Sequence, residues 1–332
     1  MTSRPTELPR RSALSLAGAA AVAATAKPSG AQENAMSGPP KVNRFKMATL
    51  NVPDIDIIAS LYDEWLGYAT VERGTVAEDL AASWGTPDMA GRPYIHMQPE
   101  SGADVFIRAV QGDPVPSYKA MTTWGWNAIE IICDDPDALH AKLMKSPFKL
   151  LGEPKGLQNY PSIRATQFQG PFEDVLYLTT ETGDRDNTLL PRPGAFVGRI
   201  FIMVVAGPDI QVLQDWYADT FNMKRGPIRN SPVDLINIAQ GLPLGSERPL
   251  TTLGLKNHGN LFELDGYGPN TTARPHIQGQ LPPGIASTSV TVDSLDGISV
   301  PFLTAPVEAY GSRAATVLGP AGELLELIEE TA

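Results

Sequence analysis

The segment Gly170-Pro171-Phe172-Glu173-Asp174-Val175-Leu176-Tyr177-Leu178, in the middle of the chain, recurs near its C-terminus as Gly319-Pro320-Ala321-Gly322-Glu323-Leu324-Leu325-Glu326-Leu327. Each copy reads as a Gly-Pro turn leading into an apolar strand, so the chain contains a duplicated unit with two equivalent positions for a functional side chain. Tyr177 stands at that position in one copy and Glu326 in the other. A carboxylate ligates a hard cation far better than a neutral phenol does, so the copies are expected to differ in chemistry.

The repeat extends outward from this pair. Val52-Pro53-Asp54 is followed by Tyr62-Asp63-Glu64-Trp65-Leu66-Gly67, and Val205 with Pro208-Asp209 is followed by Trp216-Tyr217-Ala218-Asp219-Thr220-Phe221-Asn222. Both read as strand, short loop and helix: Pro-Asp supplies the helix start, and Ile58, Leu61, Tyr62 and Trp65, or Val212, Leu213 and Trp216, keep helical spacing behind it. A third version begins at Ile129-Glu130-Ile131-Ile132-Cys133-Asp134 and a fourth at Ser289-Val290-Thr291-Val292-Asp293-Ser294. In the fourth, Leu295-Asp296-Gly297-Ile298 holds a Gly that costs a helix about 1 kcal/mol, so its helix is the least favoured.

With 332 residues the chain suits two domains, and the four modules are expected to pair in order, one with two and three with four. The 30 Pro and 30 Gly fall between apolar strands, as turns require, and form no low-complexity tract. The expected division is a signal peptide over residues 1–26, a flexible segment over 27–41, an N-terminal domain over 42–180, a linker over 181–196 and a C-terminal domain over 197–332. The signal rests on Arg10-Arg11 before an Ala-rich run to Ala24, with Ala24-Thr25-Ala26 as the small-residue cleavage site, a pattern of the twin-arginine kind; a start at Met36 would omit it. The expected location is therefore periplasmic or secreted, with no stable membrane anchor.

Net charge is -11, and removal of residues 1–26 takes away three Arg and one Glu, which makes it -13. So acidic a body argues against nucleic acid as a partner. Cys133 is the sole cysteine and reads as a small core residue.

The order strand, helix and three strands, repeated four times, together with Val52-Pro53-Asp54-Ile55-Asp56, Leu61-Tyr62-Asp63-Glu64-Trp65-Leu66-Gly67 and the closing Gly-Pro-Ala-Gly-Glu-Leu-Leu-Glu-Leu, resembles the vicinal oxygen chelate superfamily, which includes glyoxalase I and the extradiol dioxygenases. The resemblance implies an α+β fold of four βαβββ modules, paired into two domains, each a cupped mixed sheet with outer helices. It also implies a divalent metal in the cup, held by side chains of the first and last strands of each module and acting as a Lewis acid on neighbouring substrate oxygens.

Carried over position by position, module one offers Met47 and Arg108, and module two Asn127 and Tyr177, a set that implies no metal in the N-terminal domain. Arg108, Tyr177, Asn127 and Ser287 are then candidates for ligand binding. In the C-terminal domain the first-strand positions fall at Ile200 and Ser287, and the last strands supply Glu263 and Glu326. In Phe262-Glu263-Leu264 and Leu325-Glu326-Leu327 strand alternation turns each acid away from its apolar neighbours, toward the cup. Glu263 and Glu326 are thus the expected catalytic pair, and with His258 the expected ligands of one Fe, Mn, Ni or Zn ion.

No dinucleotide, Walker, nucleophile-elbow or Cys-x-x-Cys motif is present. Two readings of function follow. One is a glyoxalase- or dioxygenase-like lyase, isomerase or dioxygenase acting on a small oxygenated, possibly aromatic compound in the C-terminal cup. The other is a metal-free protein of the same fold that binds or sequesters a small molecule. Either suits a monomer or a homodimer.

Overall fold

The computed structural model describes residues 38–330. The expected signal peptide and most of the flexible segment lie outside the described residues. Module one comprises β1 (Val42–Val52), α1 (Ile55–Leu61), β2 (Tyr68–Thr75), α2 (Glu78–Ser83), β3 (Pro93–Pro99) and β4 (Phe106–Gln111). Module two comprises β5 (Gly125–Cys133), α3 (Pro136–Leu143), β6 (Lys149–Gly156), β7 (Ile163–Gln169) and β8 (Val175–Glu181). Module three comprises β9 (Val197–Gly207), α4 (Ile210–Phe221), β10 (Arg229–Pro232), α5 (Asp234–Gln240), β11 (Glu247–Gly254) and β12 (Leu261–Gly266). Module four comprises β13 (Gly284–Val292), β14 (Val307–Ala309), β15 (Ser312–Leu318) and β16 (Leu324–Glu329), with only a 3-10 turn, Leu295–Gly297, where the other modules have a helix.

One capping device starts the helix of the first three modules. Asp54, Asp135 and Asp209 are extended, and each accepts hydrogen bonds from the two amides that open the helix behind it. Ser294 does the same for the turn of module four, through one amide.

The strands form two eight-stranded sheets, in the orders β14-β15-β16-β13-β1-β4-β3-β2 and β10-β11-β12-β9-β5-β8-β7-β6. The α+β fold of paired βαβββ modules is as expected, but the pairing is not. Module one shares its sheet with module four, and module two with module three. The seams are antiparallel contacts between first strands, β1 with β13 and β5 with β9. All four first strands carry the same apolar pattern, so the sequence specifies that first strands pair and leaves open which ones. The linear halves 42–180 and 197–332 therefore do not each own a sheet.

The backs of the two sheets and the helices share one core, which draws Ala48, Leu50 and Ile107 from the first sheet, Ile129, Met203 and Phe262 from the second, and Ile58, Leu139 and Leu213 from helices. Two buried hydrogen bonds tie the sheets across it. Tyr62, just after α1, donates to Asp174 at 2.7 Å, and Tyr217 of α4 donates to Glu323 at 3.0 Å. Asp174 and Glu323 are the fifth residues of the two repeated segments, so the repeat encodes a sheet-to-sheet tie as well as a strand. The opposite, concave faces are the two cups.

Candidate functional site

Strand register sets the centre of each cup. In the first, β4 places Arg108 beside Thr49 of β1, and β16 places Glu326 beside Ser289 of β13. In the second, β12 places Glu263 beside Val204 of β9, and β8 places Tyr177 beside Glu130 of β5. Arg108 thus corresponds to Glu263, Glu326 to Tyr177, and Ser289 to Glu130.

The first cup is filled by a saturated ion pair. The Arg108 guanidinium donates through Nη2 to Glu326 Oε2 at 3.1 Å, through Nε to Thr49 at 3.0 Å and through Nη1 to Tyr310 Oη, and it lies 4.5 Å from the Trp84 ring centroid. Glu326 also accepts from Trp84 Nε1 at 2.8 Å, from Tyr310 at 2.9 Å and from Ser289. Both partners are 1% exposed, which means neither charge is shared with water. Burial works to raise the Glu326 pKa, but the Arg108 charge and the Ser289, Trp84 and Tyr310 hydrogen bonds overcome it and hold the carboxyl below its ordinary value.

The second cup has a different centre. Glu130 and Glu263 rise from an apolar wall that includes Ala128, Ile132, Ile202 and Val204, with Tyr177 buried among them. Glu130 accepts from Thr179 through Oε1, and its Oε2 has no hydrogen-bond partner. Burial pushes its pKa up to about 8, against the smaller downward pull of the Thr179 hydrogen bond, so the carboxyl holds its proton at neutral pH. Asp265, further along β12, is pushed by burial to about 7 despite the Arg248 charge. The Tyr177 phenol is driven well above its usual range by burial and by Tyr267, Asp265, Glu263 and Glu130 around it. Buried polar atoms without partners occur on both sheets: Glu130 Oε2, Gln167 Oε1, Asp265 Oδ1, Tyr267 Oη and Arg248 Nε on or beside this one, and His96 Nε2, Ser287 Oγ and Thr316 Oγ1 among those on the first. Such groups cost stability unless a polar occupant or water meets them.

Several expectations are corrected here. Glu263 and Glu326 belong to different sheets, so they form no carboxylate pair. Arg108, assigned to ligand binding in one half, is the direct partner of Glu326 from the other. Asn127 does not face a ligand: it accepts from the Met121 amide and donates to the Thr123 and Gly125 carbonyls, bracing the entry to β5. Ala128 and Ile132 face the second cup while Ile129 and Ile131 enter the core, so alternation makes Glu130 the cup residue of that strand. Ile200 packs in the core between the sheets, whereas Ile202 and Val204 face the second cup. Ser287 is buried with its hydroxyl unpartnered, and it is Ser289 that reaches Glu326. His258 sits exposed on the turn before β12 and donates to the Thr188 carbonyl at 2.8 Å, away from both glutamates' strands. Glu130 was the residue missed, although Ile129-Glu130-Ile131 carries the same lone acid in an apolar strand as Phe262-Glu263-Leu264.

Neither cup fits a divalent metal. The first offers Met47, Thr49, Arg108, Ser289 and Glu326, and the lone carboxylate there is already saturated by donors and a guanidinium. The second offers Glu130 on first strand β5, Glu263 and Asp265 on β12 and the Tyr177 phenol, with aliphatic Val204 on the other first strand. No group of three His, Cys, Asp or Glu among the described residues stands close enough to share a cation.

In comparisons with solved structures, the chain is similar to glyoxalase I from Zea mays, with 15% identity and a TM-score of 0.58, over 86% of this chain and 92% of that one. It is also similar to a candidate dioxygenase from Bacillus subtilis subsp. subtilis, with 12% identity and a TM-score of 0.60, over 88% of this chain and 86% of that one. Identities this low establish a shared fold, that of glyoxalase I and dioxygenase-like proteins, and no particular reaction. No family model and no curated protein matches the chain.

Proposed function

We propose that the protein binds a small oxygenated organic molecule in the second cup through hydrogen bonds, without a divalent metal. The observation that carries this reading is Glu130, a carboxyl held protonated by burial, with one oxygen unpartnered, at the position where the other cup has Ser289. A protonated acid donates to a carbonyl or hydroxyl oxygen in an apolar site, and Glu263 and Tyr177 supply further polar contacts around it. The donor set supports no step through a metal, so the metal-dependent glyoxalase or dioxygenase reading is not followed.

A second reading, lyase or isomerase chemistry by proton transfer, is favoured by the Glu130 and Asp265 pKa values of about 8 and about 7, which suit groups that exchange protons near neutrality. Export by a twin-arginine-type signal remains a proposal supported by Arg10-Arg11 and the Ala-rich run; its test is recovery of the mature chain from the periplasmic fraction.

The binding test is a thermal-shift screen of small hydroxy, keto and phenolic compounds against the full chain. A hit is expected to lose its shift in Glu130→Leu and Glu263→Leu, which remove the polar groups, and to keep it in Glu326→Gln. A shift that survives both second-cup substitutions contradicts the assignment.

A further inference from the structure

A cleft of about 390 Å³ lies outside the second cup, where α2, the start of β5, the segment 273–282 and the β15-β16 hairpin meet. Three of the chain's five tryptophans line it: Trp84, Trp124 and Trp126. Their indole N–H groups are all committed elsewhere, Trp84 to Glu326 at 2.8 Å, Trp124 to the Thr271 hydroxyl at 2.9 Å and Trp126 to the Leu324 carbonyl at 2.8 Å. Trp84 and Trp126 are buried in the wall, 2% and 1% exposed, and Trp124, partly exposed, presents its ring face and no free donor. Leu318, 52% exposed, and Leu303, 39% exposed, stand at the open side and extend the apolar surface of the cleft.

One positive charge belongs to this cleft. Arg274 donates through Nε to the Thr123 hydroxyl, through Nη1 to the Pro283 and Ile285 carbonyls and through Nη2 to the Trp126 carbonyl, and lies 5.0 Å from the Tyr118 ring centroid; these partners are neutral, and no ion pair to a carboxylate is found for it among the described residues. The acid in the wall, Glu323, has its oxygens taken by Tyr217 and the Ala321 amide, and burial pushes its pKa to about 7. The site thus combines indole surface with a guanidinium whose charge is unanswered.

We infer that this cleft binds a flat aromatic molecule carrying one anionic group, such as an aromatic carboxylate, with its ring against Trp124, Leu303 and Leu318 and its anion at Arg274. The volume accommodates one or two fused rings. Trp84 links the site to the first cup: the Arg108–Glu326 pair holds the Trp84 ring, through the hydrogen bond at Nε1 and the guanidinium stacked on it. The ion pair that occupies the metal position of the fold is then a positioning device for an aromatic wall.

Isothermal titration of the full chain with 2-naphthoate and with uncharged 2-naphthamide tests this. Naphthoate is expected to bind about tenfold tighter than the amide or better. Leu318→Glu, at an exposed position that does not endanger folding, is expected to weaken naphthoate about tenfold and leave the amide nearly unchanged. Trp124→Ala is expected to weaken both, and Glu263→Gln neither. Equal affinity for the two probes, no saturable naphthoate binding, or indifference to Leu318→Glu overturns the inference. Loss of naphthoate binding in Glu263→Gln overturns it as well, by moving the ligand to the second cup, whereas the second-cup reading stands or falls on its own ligand screen.

Discussion

The two cups share a fold and strand register, yet their central residues have opposite electrostatic states. In the first, Glu326 is ionised because Arg108 and three hydrogen-bond donors surround it. In the second, Glu130 is protonated because nothing of opposite charge stands against it and Thr179 alone hydrogen-bonds to it. Burial is nearly total in both. The difference teaches that burial alone does not decide whether a carboxyl is charged; the partner at the neighbouring register position does. Both oxygens of Glu326 are met by donors, whereas Glu130 keeps one oxygen unmet.

The largest expected effect comes from breaking the first centre. Arg108→Ala strands Glu326 as a buried, unpaired charge and is expected to cost about 3–5 kcal/mol in urea denaturation. The double substitution Arg108→Met with Glu326→Leu is expected to recover most of that loss, since no buried charge remains. Glu130→Gln, which replaces a neutral carboxyl by a neutral amide of the same shape, is expected to stay within about 1 kcal/mol of the parent near pH 6. A Glu130→Gln loss as large as that of Arg108→Ala would erase the contrast between the cups.

Stability against pH sharpens the same contrast. Burial raises Glu130 to about 8, Asp265 and Glu323 to about 7 and Asp174 to about 6, so the folded chain keeps protons that the unfolded chain has released. Their contribution is complete below the ordinary carboxylate range and is lost as pH rises through those values. Glu326 has the reverse sign: its stabilisation is present above the ordinary range and disappears as pH falls through its lowered value. The melting temperature is therefore expected to drop by roughly 5 °C or more between about pH 6 and pH 8.5. Glu130→Gln is expected to flatten the upper part of that curve, and calorimetry across the range checks both.

Smaller effects concern the frame that holds the cups. Tyr62→Phe and Tyr217→Phe each leave a carboxyl oxygen unsatisfied between the sheets and are expected to cost about 1–3 kcal/mol, nearly additively. Asp54→Ala, Asp135→Ala and Asp209→Ala remove helix caps and are expected to cost about 1 kcal/mol each by thermal melting.

Much of this was legible in the sequence. The four modules, the caps at Asp54 and Asp209 and the weakness of the fourth helix follow from Pro-Asp signals, apolar periodicity and Gly297, whereas the cap at Asp135 and the complete loss of the fourth helix do not. Arg108, Tyr177, Glu263 and Glu326 follow from the last-strand positions that the resemblance implies, and strand alternation supports Glu263 and Glu326 in addition. What was not legible is pairing. Local pattern fixes which face of a strand is apolar, whereas the partner strand is set by contacts between residues more than 200 positions apart, such as Ser289 with Met47. The Asn127 assignment failed because it rested on an offset of five residues from Ile132, whereas Ala128, Glu130 and Ile132 share the cup face by plain alternation. Arg108 opposite Glu326 became visible only once modules one and four were joined.

The central claim is that both cups have left metal ligation behind, the first for an ion pair and the second for proton-bearing acids. Elemental analysis of the full chain, purified without chelator and equilibrated in turn with Fe, Mn, Ni and Zn, tests it most directly. The account predicts well under one equivalent of any divalent metal per chain and a melting temperature unmoved by chelator. One equivalent per chain that disappears in Glu263→Gln or Glu326→Gln would contradict it.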